Sequence, residues 1–349
     1  DYTDSEDGVF LLEKAATNLV TYSDDFSQSA WVKTPSLVTV TSNQFISPNG
    51  TQNADRLQIQ ATSSLSLCYH LVAHVVSQKI TVSAWVKSNT NSIEKIKLFG
   101  DYGTVNAVSD EFLVTDTWKR IEFTFTPTAT GNRNVGFYNV SNLATDIQIY
   151  GFQAEQNSVA SSYIPTQGAV ATRSDETASG SGNSEVINSI EGVLFLETKG
   201  FVDVPSSSGY IQLSKSGEAS FNNSLTIQHR NNGYLRVYVN GVDTASIQFN
   251  ENIDFTKNHK IAILYKLNGY KLFIDGVSQS LFGTPTQTVF SGLDNLSFDL
   301  RGDLSWNGSI KEIAYYDTAL TDIELETLTS YRSWESMVKE LNLNIIHNE

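Results

Sequence analysis

Residues 162–191 read SYIPTQGAVATRSDETASGSGNSEVINSIE, and the rest of the chain is organised around them. The centre of the stretch, Ser179-Gly180-Ser181-Gly182-Asn183-Ser184, offers no side chain that could anchor a core. A Gly/Ser run of this kind reads as coil, because freezing its backbone costs entropy that no burial offsets. Pro165 breaks the pattern just upstream, since it lacks an N–H and fixes φ. Dense apolar and β-branched patterning returns on both sides. The expectation is therefore a first domain over 1–170, a Gly/Ser-rich linker over 171–188 and a second domain over 189–349, with one domain carrying a long surface loop as the alternative.

The composition fits strands. Of the 349 residues, 40% are hydrophobic and only 17% charged, and Thr, Ser, Asn, Val, Ile and aromatics fill the difference. A net charge of −15 with no basic stripe excludes phosphate-neutralising nucleic-acid binding and argues against docking on anionic lipid. No apolar run is long enough to imply membrane insertion. Cys68 is the only cysteine, so no intrachain disulfide can form, and its apolar surroundings read it as a small buried hydrophobe. The only methionine is Met337, so Asp1 is not an initiator, and the expectation is that sequence was removed upstream or that this is the C-terminal part of a longer protein.

In the first half, Val9–Glu13 is a short strand candidate. Ile80–Lys87 alternates strictly, with Ile80, Val82, Ala84 and Val86 on one face and Thr81, Ser83, Trp85 and Lys87 on the other. Trp118–Thr126 does the same, setting Ile121, Phe123 and Phe125 against Arg120, Glu122 and Thr124. A period of two marks half-buried antiparallel strands, and many short strands with polar turns imply a sandwich or jelly roll. In the second half, Asn240-Gly241, Asn268-Gly269 and Asp275-Gly276 punctuate alternating runs as hairpin turns. Thr321-x-x-Glu324 fits a capping box with Leu320 and Leu325 as its staple, and Trp334, Met337, Val338 and Leu341 form one apolar stripe of a C-terminal amphipathic helix.

These residues carry a resemblance. Asn18-Leu19-Val20, Asp25-Phe26, Trp31, Ile80–Lys87, Thr117–Pro127 and Ile149–Glu155 are similar, in order and spacing, to the strands of jelly-roll carbohydrate-binding modules of the galactose-binding-like superfamily. With Asp1-Tyr2-Thr3 at the start and Ser162-Tyr163-Ile164-Pro165-Thr166 at the exit, the likeness is closer to domains of bacteriophage tail and other virion proteins. Tyr234–Gly241, Tyr270–Gly276 and Asn307–Leu325 resemble the laminin-G-like, concanavalin A-like lectin sandwich, in which a strand ends in an Ala-Leu-Thr corner and enters a small helix. The resemblance implies an all-β protein of two β-sandwich domains, found in a virion or outside the cell. It implies a lectin-like partner for bacterial surface polysaccharide, associated with other virion proteins; assembly as a homo-oligomer stays open.

Catalysis lacks a signature: no Glu-x-Asp-x-x-Glu, no Gly-x-Ser-x-Gly elbow and no phosphate loop is present, so the chain reads as a non-enzyme. Asp299 and Asp303 flank a turn. His70 and His74 would share a helix face, but in a strand they stand ~13 Å apart, too far for one metal. Asp24-Asp25 and the Asp4/Glu6/Asp7 cluster are hard oxygen ligands in type. The resemblance implies a structural calcium near the first strand with Asp25 as the matching ligand; solvated turn carboxylates are the alternative, and Tyr150-Gly151-Phe152 stands where the family places a second Asp. No other cofactor is expected.

For carbohydrate, flat aromatic faces are needed beside a few planar polar groups. Trp85, opposite the apolar face of its strand, is the leading candidate, with sandwich core as its alternative. Tyr102 at a loop tip, Arg230 and Tyr234 flanking Asn231-Asn232-Gly233, and Trp306 before Asn307-Gly308 complete the set. A purely structural virion component, the binding appendage of a secreted polysaccharide-degrading enzyme, and a depolymerase are the alternatives in function.

Overall fold

The computed structural model describes residues 8–90, 92–100, 107–200, 209–217, 223–230, 234–240, 246–254, 257–267, 269–280, 290–300 and 304–331. The chain divides into two compact units with bounds unlike those expected. One is Ala15–Ser174; the other joins Asp1–Lys14 to Asp175–Glu349. The reason is β1 (Phe10–Leu12), which pairs antiparallel with Ile310, Ser309 and Gly308 far along the sequence.

The first sandwich contains β2 (Ala16–Asn18), β3 (Trp31–Lys33), β4 (Val38–Phe45), β5 (Ala54–Ile59), β6 (Leu67–His74), β7 (Ile80–Ser88) and β8 (Glu94–Gly100). It continues through β9 (Ala107–Val108), β10 (Phe112–Val114), β11 (Lys119–Phe125), β12 (Gly131–Tyr138), β13 (Thr145–Glu155) and β14 (Ala171–Arg173). One sheet has the order β11-β7-β13-β5-β4 and the other β10-β8-β12-β6-β3, while β14 closes on β2. The alternation seen in β7 and β11 sends Val82, Ala84, Val86 and Ile121 into a core shared with Cys68, Leu98, Val135 and Phe137. Phe26, Trp31, Phe137 and Phe152 form its aromatic centre, with ring centroids 4.7–5.9 Å apart.

The second sandwich adds β15 (Gly192–Gly200), β16 (Gly209–Ser214), β17 (Ser224–His229), β18 (Tyr234–Asn240), β19 (Ser246–Asn252), β20 (His259–Lys266), β21 (Gly269–Ile274), β22 (Val277–Ser278), β23 (Asn295–Ser297) and β24 (Gly308–Tyr316). Its sheets run β1-β24-β15-β20-β21-β22 and β19-β18-β17-β16-β23. The Asp275-Gly276 turn has both residues at positive φ, 51° and 81°, and brings Ile274 opposite Val277, as a two-residue hairpin requires. Both faces of β15 and β20 are covered. Leu194, Leu196, Ile261 and Ile263 enter the inter-sheet core, while Val193, Phe195, Ala262 and Leu264 meet Leu325 of α1 (Asp322–Thr329). That is why Val193–Thr198 reads as a nearly unbroken apolar run. The capping box is present: Thr321 Oγ1 accepts the Glu324 N–H at 3.3 Å and Glu324 Oε2 accepts the Thr321 N–H at 2.7 Å. The stripe beginning at Trp334 lies outside the described residues, as do the tips of the Asn240-Gly241 and Asn268-Gly269 turns.

The Gly/Ser stretch is tied down rather than slack. Ala171–Arg173 pairs with Asn18–Ala16. Further on, Gly180 N–H donates to Asn295 Oδ1 at 2.8 Å, Ser181 bridges Leu296, and Ile187 enters the second core at 5% exposure. Trp306 is fully buried in that same core, edge-on to His229 at 6.0 Å. Trp306→Ala should cost the second sandwich about 3–5 kcal/mol, whereas Arg230→Ala, at a half-exposed strand end, should stay within about 0.5 kcal/mol; chemical denaturation of the two variants measures both.

Candidate functional site

The first sandwich has two outward sheet faces, and they differ in what covers them. On the β11-β7-β13 face, residues 157–164 fold back across the strands. Thr81 Oγ1 donates to the Asn157 carbonyl at 2.8 Å, Arg120 Nη1 to the Ser161 carbonyl at 2.7 Å, and the Ile164 N–H to Gln153 Oε1 at 2.6 Å. Trp85 sits under this strap. The Arg120 guanidinium lies 4.5 Å from its ring centroid, and Tyr163 and Tyr150 pack at 5.6 and 6.0 Å. Gly151, at φ 62° in a bulge, comes so close that a Cβ there would stand 3.0 Å from the indole. The Tyr150 hydroxyl is taken by Asn49 Nδ2 at 2.9 Å and the Tyr163 hydroxyl by Ser23 Oγ at 2.6 Å. Burial pushes the Tyr163 phenol well up. Trp85 is thus half-buried and committed to internal partners, and it does not offer the open platform expected of it.

The β8-β12-β6-β3 face is different. Alternation sends Cys68, Val72, Val135, Phe137, Ile96 and Leu98 inward. Tyr69, Leu71, Asn134, Gly136, Tyr138, Lys97 and Phe99 therefore take the outer face. The register aligns Val32, Tyr69, Gly136 and Phe99 in one row, with Tyr138 opposite Lys97 and Asn134 opposite Leu71 in the rows beside it. Gly136 is obligatory: a Cβ would lie 2.1 Å from the Cys68 carbonyl oxygen and 2.7 Å from the Tyr69 Cα. Gly136 leaves no side chain between Tyr69 and Phe99 in that row; Phe99 is itself fully buried and packs edge-on against Tyr138 at 5.8 Å, so the exposed rings of this face are Tyr69 and Tyr138. Tyr69 and Tyr138 are diagonal neighbours on adjacent strands, roughly 7–8 Å apart. Among the described residues, the Tyr69 and Tyr138 hydroxyls and the Asn134 amide have no hydrogen-bond partner, and all three side chains are half-exposed. Leu71 (52%) and Val32 (44%) add open apolar surface beside them. The half-exposed rings of Tyr69 and Tyr138, their two hydroxyls and the Asn134 amide can receive a ligand that has both C–H faces and hydroxyls.

The face was readable in part. Tyr69 lies next to Cys68 in LCYHLVAH, and placing Cys68 in the core puts Tyr69 outside by the period of two. The pairing of Tyr69 with Gly136 has no counterpart in local sequence.

The remaining candidates separate. Tyr102 and Asp303 lie outside the described residues, as does the Asp4/Glu6/Asp7 cluster; Tyr234 is in β18, with its side chain outside the described set. Arg230 follows β17, half-exposed. Trp306 is core, so it cannot meet a ligand. Asp299 is buried at 6% exposure. The outer face of β16-β17-β18 carries a polar ladder that the sequence reading missed. Gln228 Nε2 donates to the Tyr210 hydroxyl at 2.7 Å, Tyr238 OH to Gln228 Oε1 at 3.3 Å, and Arg236 Nη1 to Tyr238 OH at 2.5 Å. Gln212 and Gln228 are nonetheless only 3% and 7% exposed, so this ladder is satisfied internally.

His70 and His74 are strand residues of β6, as expected. Thr21 N–H donates to His70 Nε2 at 3.3 Å, which leaves Nδ1 to donate to the Leu71 carbonyl at 3.0 Å; burial holds the ring's pKa down, in the neutral form. Burial likewise pushes the Cys68 thiol up to about 12, so it is inert.

Asp25 serves its own turn. Its Oδ1 accepts from Ser27 N–H at 3.1 Å and Ser27 Oγ at 2.6 Å, and its Oδ2 accepts from Gln28 Nε2 at 2.7 Å. Partial burial opposes ionisation, but these bonds outweigh it and hold the carboxyl below its usual range. Among the described residues no group of three or more His, Cys, Asp and Glu is placed to hold a metal ion.

No protein-family model matches the chain, and no curated protein matches it. Several solved structures resemble it in shape. The CBM40 of Ruminococcus gnavus IT-sialidase bound to α2,3-sialyllactose aligns with 45% of this chain and 97% of its own at 15% identity and a TM-score of 0.36. A native heptameric SAP-like pentraxin from Limulus polyphemus aligns with 44% of this chain and 74% of its own at 13% identity and a TM-score of 0.35. The tandem CBM22-1–CBM22-2 domain of Paenibacillus barcinonensis Xyn10C aligns with 88% of this chain and 99% of its own at 10% identity and a TM-score of 0.34.

Asp55 gives this unit a pH signature. It is fully buried, accepts the Phe26 N–H at 2.9 Å and the Asn43 N–H at 2.8 Å, and burial raises its pKa from 3.8 to about 6. A raised carboxyl binds its proton more tightly when folded, so its contribution to stability is present at low pH and declines as pH rises from about 4 to 6. In a comparison of melting temperatures across that window, Asp55→Asn should remove this downward slope relative to the parent protein.

Proposed function

We propose that this is a non-catalytic virion protein, of a phage tail or its appendages, that holds bacterial surface polysaccharide for host recognition. The observation that carries the glycan reading is the pair Tyr69 and Tyr138 with Asn134 on the same sheet face: two half-exposed rings whose hydroxyls, like the Asn134 amide, have no hydrogen-bond partner among the described residues. Stacking on sugar C–H surfaces uses the rings, and the free polar groups meet sugar hydroxyls. A shallow face of this kind binds weakly alone, and repetition on a particle supplies avidity. The virion assignment rests on the sequence resemblance of the first and second halves to tail proteins.

The non-catalytic reading is supported by the carboxylates. Glu155, whose carboxyl burial pushes up as a general acid would need, is enclosed, with Ser161 N–H at 3.0 Å and Gln153 Nε2 at 2.7 Å on its oxygens. Asp146 accepts from Arg56 Nε at 2.9 Å and Nη2 at 2.5 Å, and this pairing holds it ionised.

Tyr69→Ala combined with Tyr138→Ala should weaken binding to a responding polysaccharide at least about tenfold, with unchanged circular dichroism. A bacterial glycan array followed by calorimetry measures it. Wild-type binding that survives the double substitution would remove this face from the reading. A parent protein that binds nothing on the array would favour a purely structural virion role, and shortened polysaccharide after incubation would establish a depolymerase.

A further inference from the structure

The first sandwich has a second concavity, away from the tyrosine face. A cavity of about 450 Å³ opens where the ends of β4, β5, β8 and β13 meet, lined chiefly by Thr39, Gln58, Gln60, Thr90, Glu94 and Asp146. Its volume is within the range of small-molecule sites. Ile59, Ala144 and Thr145 complete the lining, so the walls mix apolar surface with hydroxyl, amide and carboxylate groups and carry no aromatic ring.

The two carboxylates are in different states. Asp146 is saturated: beyond the Arg56 fork it accepts from Gln58 Nε2 at 3.3 Å and Asn89 Nδ2 at 3.1 Å, and its charge is matched by the guanidinium. Glu94 accepts only Thr90 Oγ1 at 2.8 Å and, at 3.4 Å, the Asp146 N–H. A carboxylate has about four lone-pair sites, so two remain. Among the described residues Glu94 has no cationic partner, and the side chains of Thr39 and Gln60 have no hydrogen-bond partner. The cavity wall therefore holds one uncompensated negative charge, spare acceptors and two uncommitted polar side chains. It calls for a ligand rich in donors and of positive charge.

We infer that this cavity is a second ligand site, selective for a sugar ring that carries a protonated amine and closed to carboxylated sugars. Glu94 is the selecting residue: it takes the ammonium, while Thr39, Gln60 and Gln58 meet ring hydroxyls. A uronic or sialic acid would bring its carboxylate against Glu94 and Asp146. The site is independent of the tyrosine face and stands whether or not that face binds glycan.

Amide-resolved NMR titration of the whole chain with glucosamine, glucose and glucuronate, at about pH 6 and low salt, tests it. Saturable shifts are expected at Thr39, Gln60, Thr90 and Thr145. Glucosamine should bind about fivefold more tightly than glucose, the scale of one near-surface charge pair, and glucuronate should produce no shift. The glucosamine preference should collapse near 1 M salt, where the screening length is only ~3 Å. Glu94→Gln should equalise glucosamine and glucose. Thr39→Trp, at an exposed position, should block both. Absence of saturable shifts at these residues, glucuronate binding as well as glucosamine, or a salt-insensitive preference would each overturn the inference. Should Glu94→Gln fail to fold, the salt series and Thr39→Trp decide the matter alone.

Discussion

The side-chain amide of Asn18 is the constraint on which the first sandwich turns. Its Nδ2 donates to the Phe152 carbonyl at 3.2 Å and the Ile164 carbonyl at 2.9 Å, and its Oδ1 accepts from Val20 N–H at 3.3 Å and Ala154 N–H at 3.1 Å. One fully buried side chain thus fastens the entry strand, the bulged β13 and the returning strap to one another. An unmade bond here would leave a desolvated donor or acceptor, so the arrangement is satisfied as a whole or lost as a whole. Because the strap is fixed, it covers the β11-β7-β13 face, and Trp85 lies half-buried beneath it against Arg120. On the opposite sheet Tyr69 and Tyr138 stay half-exposed, and their hydroxyls have no hydrogen-bond partner among the described residues. Location of the candidate site follows from which face the strap takes.

The second sandwich reaches closure by another route. Its β15 and β20 are apolar on both faces, because α1 seals the side that the inter-sheet core does not use. Its other sheet carries hydrogen-bonding side chains outward, but Tyr210, Gln228, Tyr238 and Arg236 satisfy one another in a chain. Polar groups that already have partners gain little from a ligand. Tyr69, Tyr138 and Asn134 differ from these groups in having no hydrogen-bond partner among the described residues.

Much of the class was legible from alternation and turns. Ile80–Lys87 and Trp118–Thr126 form strands with the faces their pattern requires, Asp275-Gly276 turns a hairpin, and Thr321 caps a helix. Each of these is a local property, set by side-chain period or by backbone φ. What could not be read was pairing at long range. Phe10–Leu12 has an ordinary strand composition, and nothing in it names Gly308–Ile310 as its partner. The Gly/Ser stretch offers no anchoring side chains, yet its backbone groups bond to Asn295 and Leu296. Trp85, opposite the apolar face of its strand, and Trp306, before the Asn307-Gly308 turn, suit sugars by position, yet Trp85 packs under the strap, half-buried, and Trp306 fills the second core. Gly136, by contrast, looked unremarkable; its role comes from the neighbouring strand's carbonyl.

The second sandwich contributes β1, leaves its own fold at Lys14 and resumes at Asp175. Those two points are stitched together: Glu13 N–H donates to Glu176 Oε2 and Glu176 N–H to the Glu13 carbonyl, both at 2.9 Å. Beyond them, Ala16 and Arg173 are already paired as neighbouring strand residues. The entire first sandwich is therefore an excursion whose start and finish coincide, as a long loop does in a host scaffold. Loop closure depends only weakly on what the loop contains. Closing this base costs only slightly more for a whole domain than for a short insert, so the second sandwich keeps its own strand pairing while carrying an entire domain between β1 and β15.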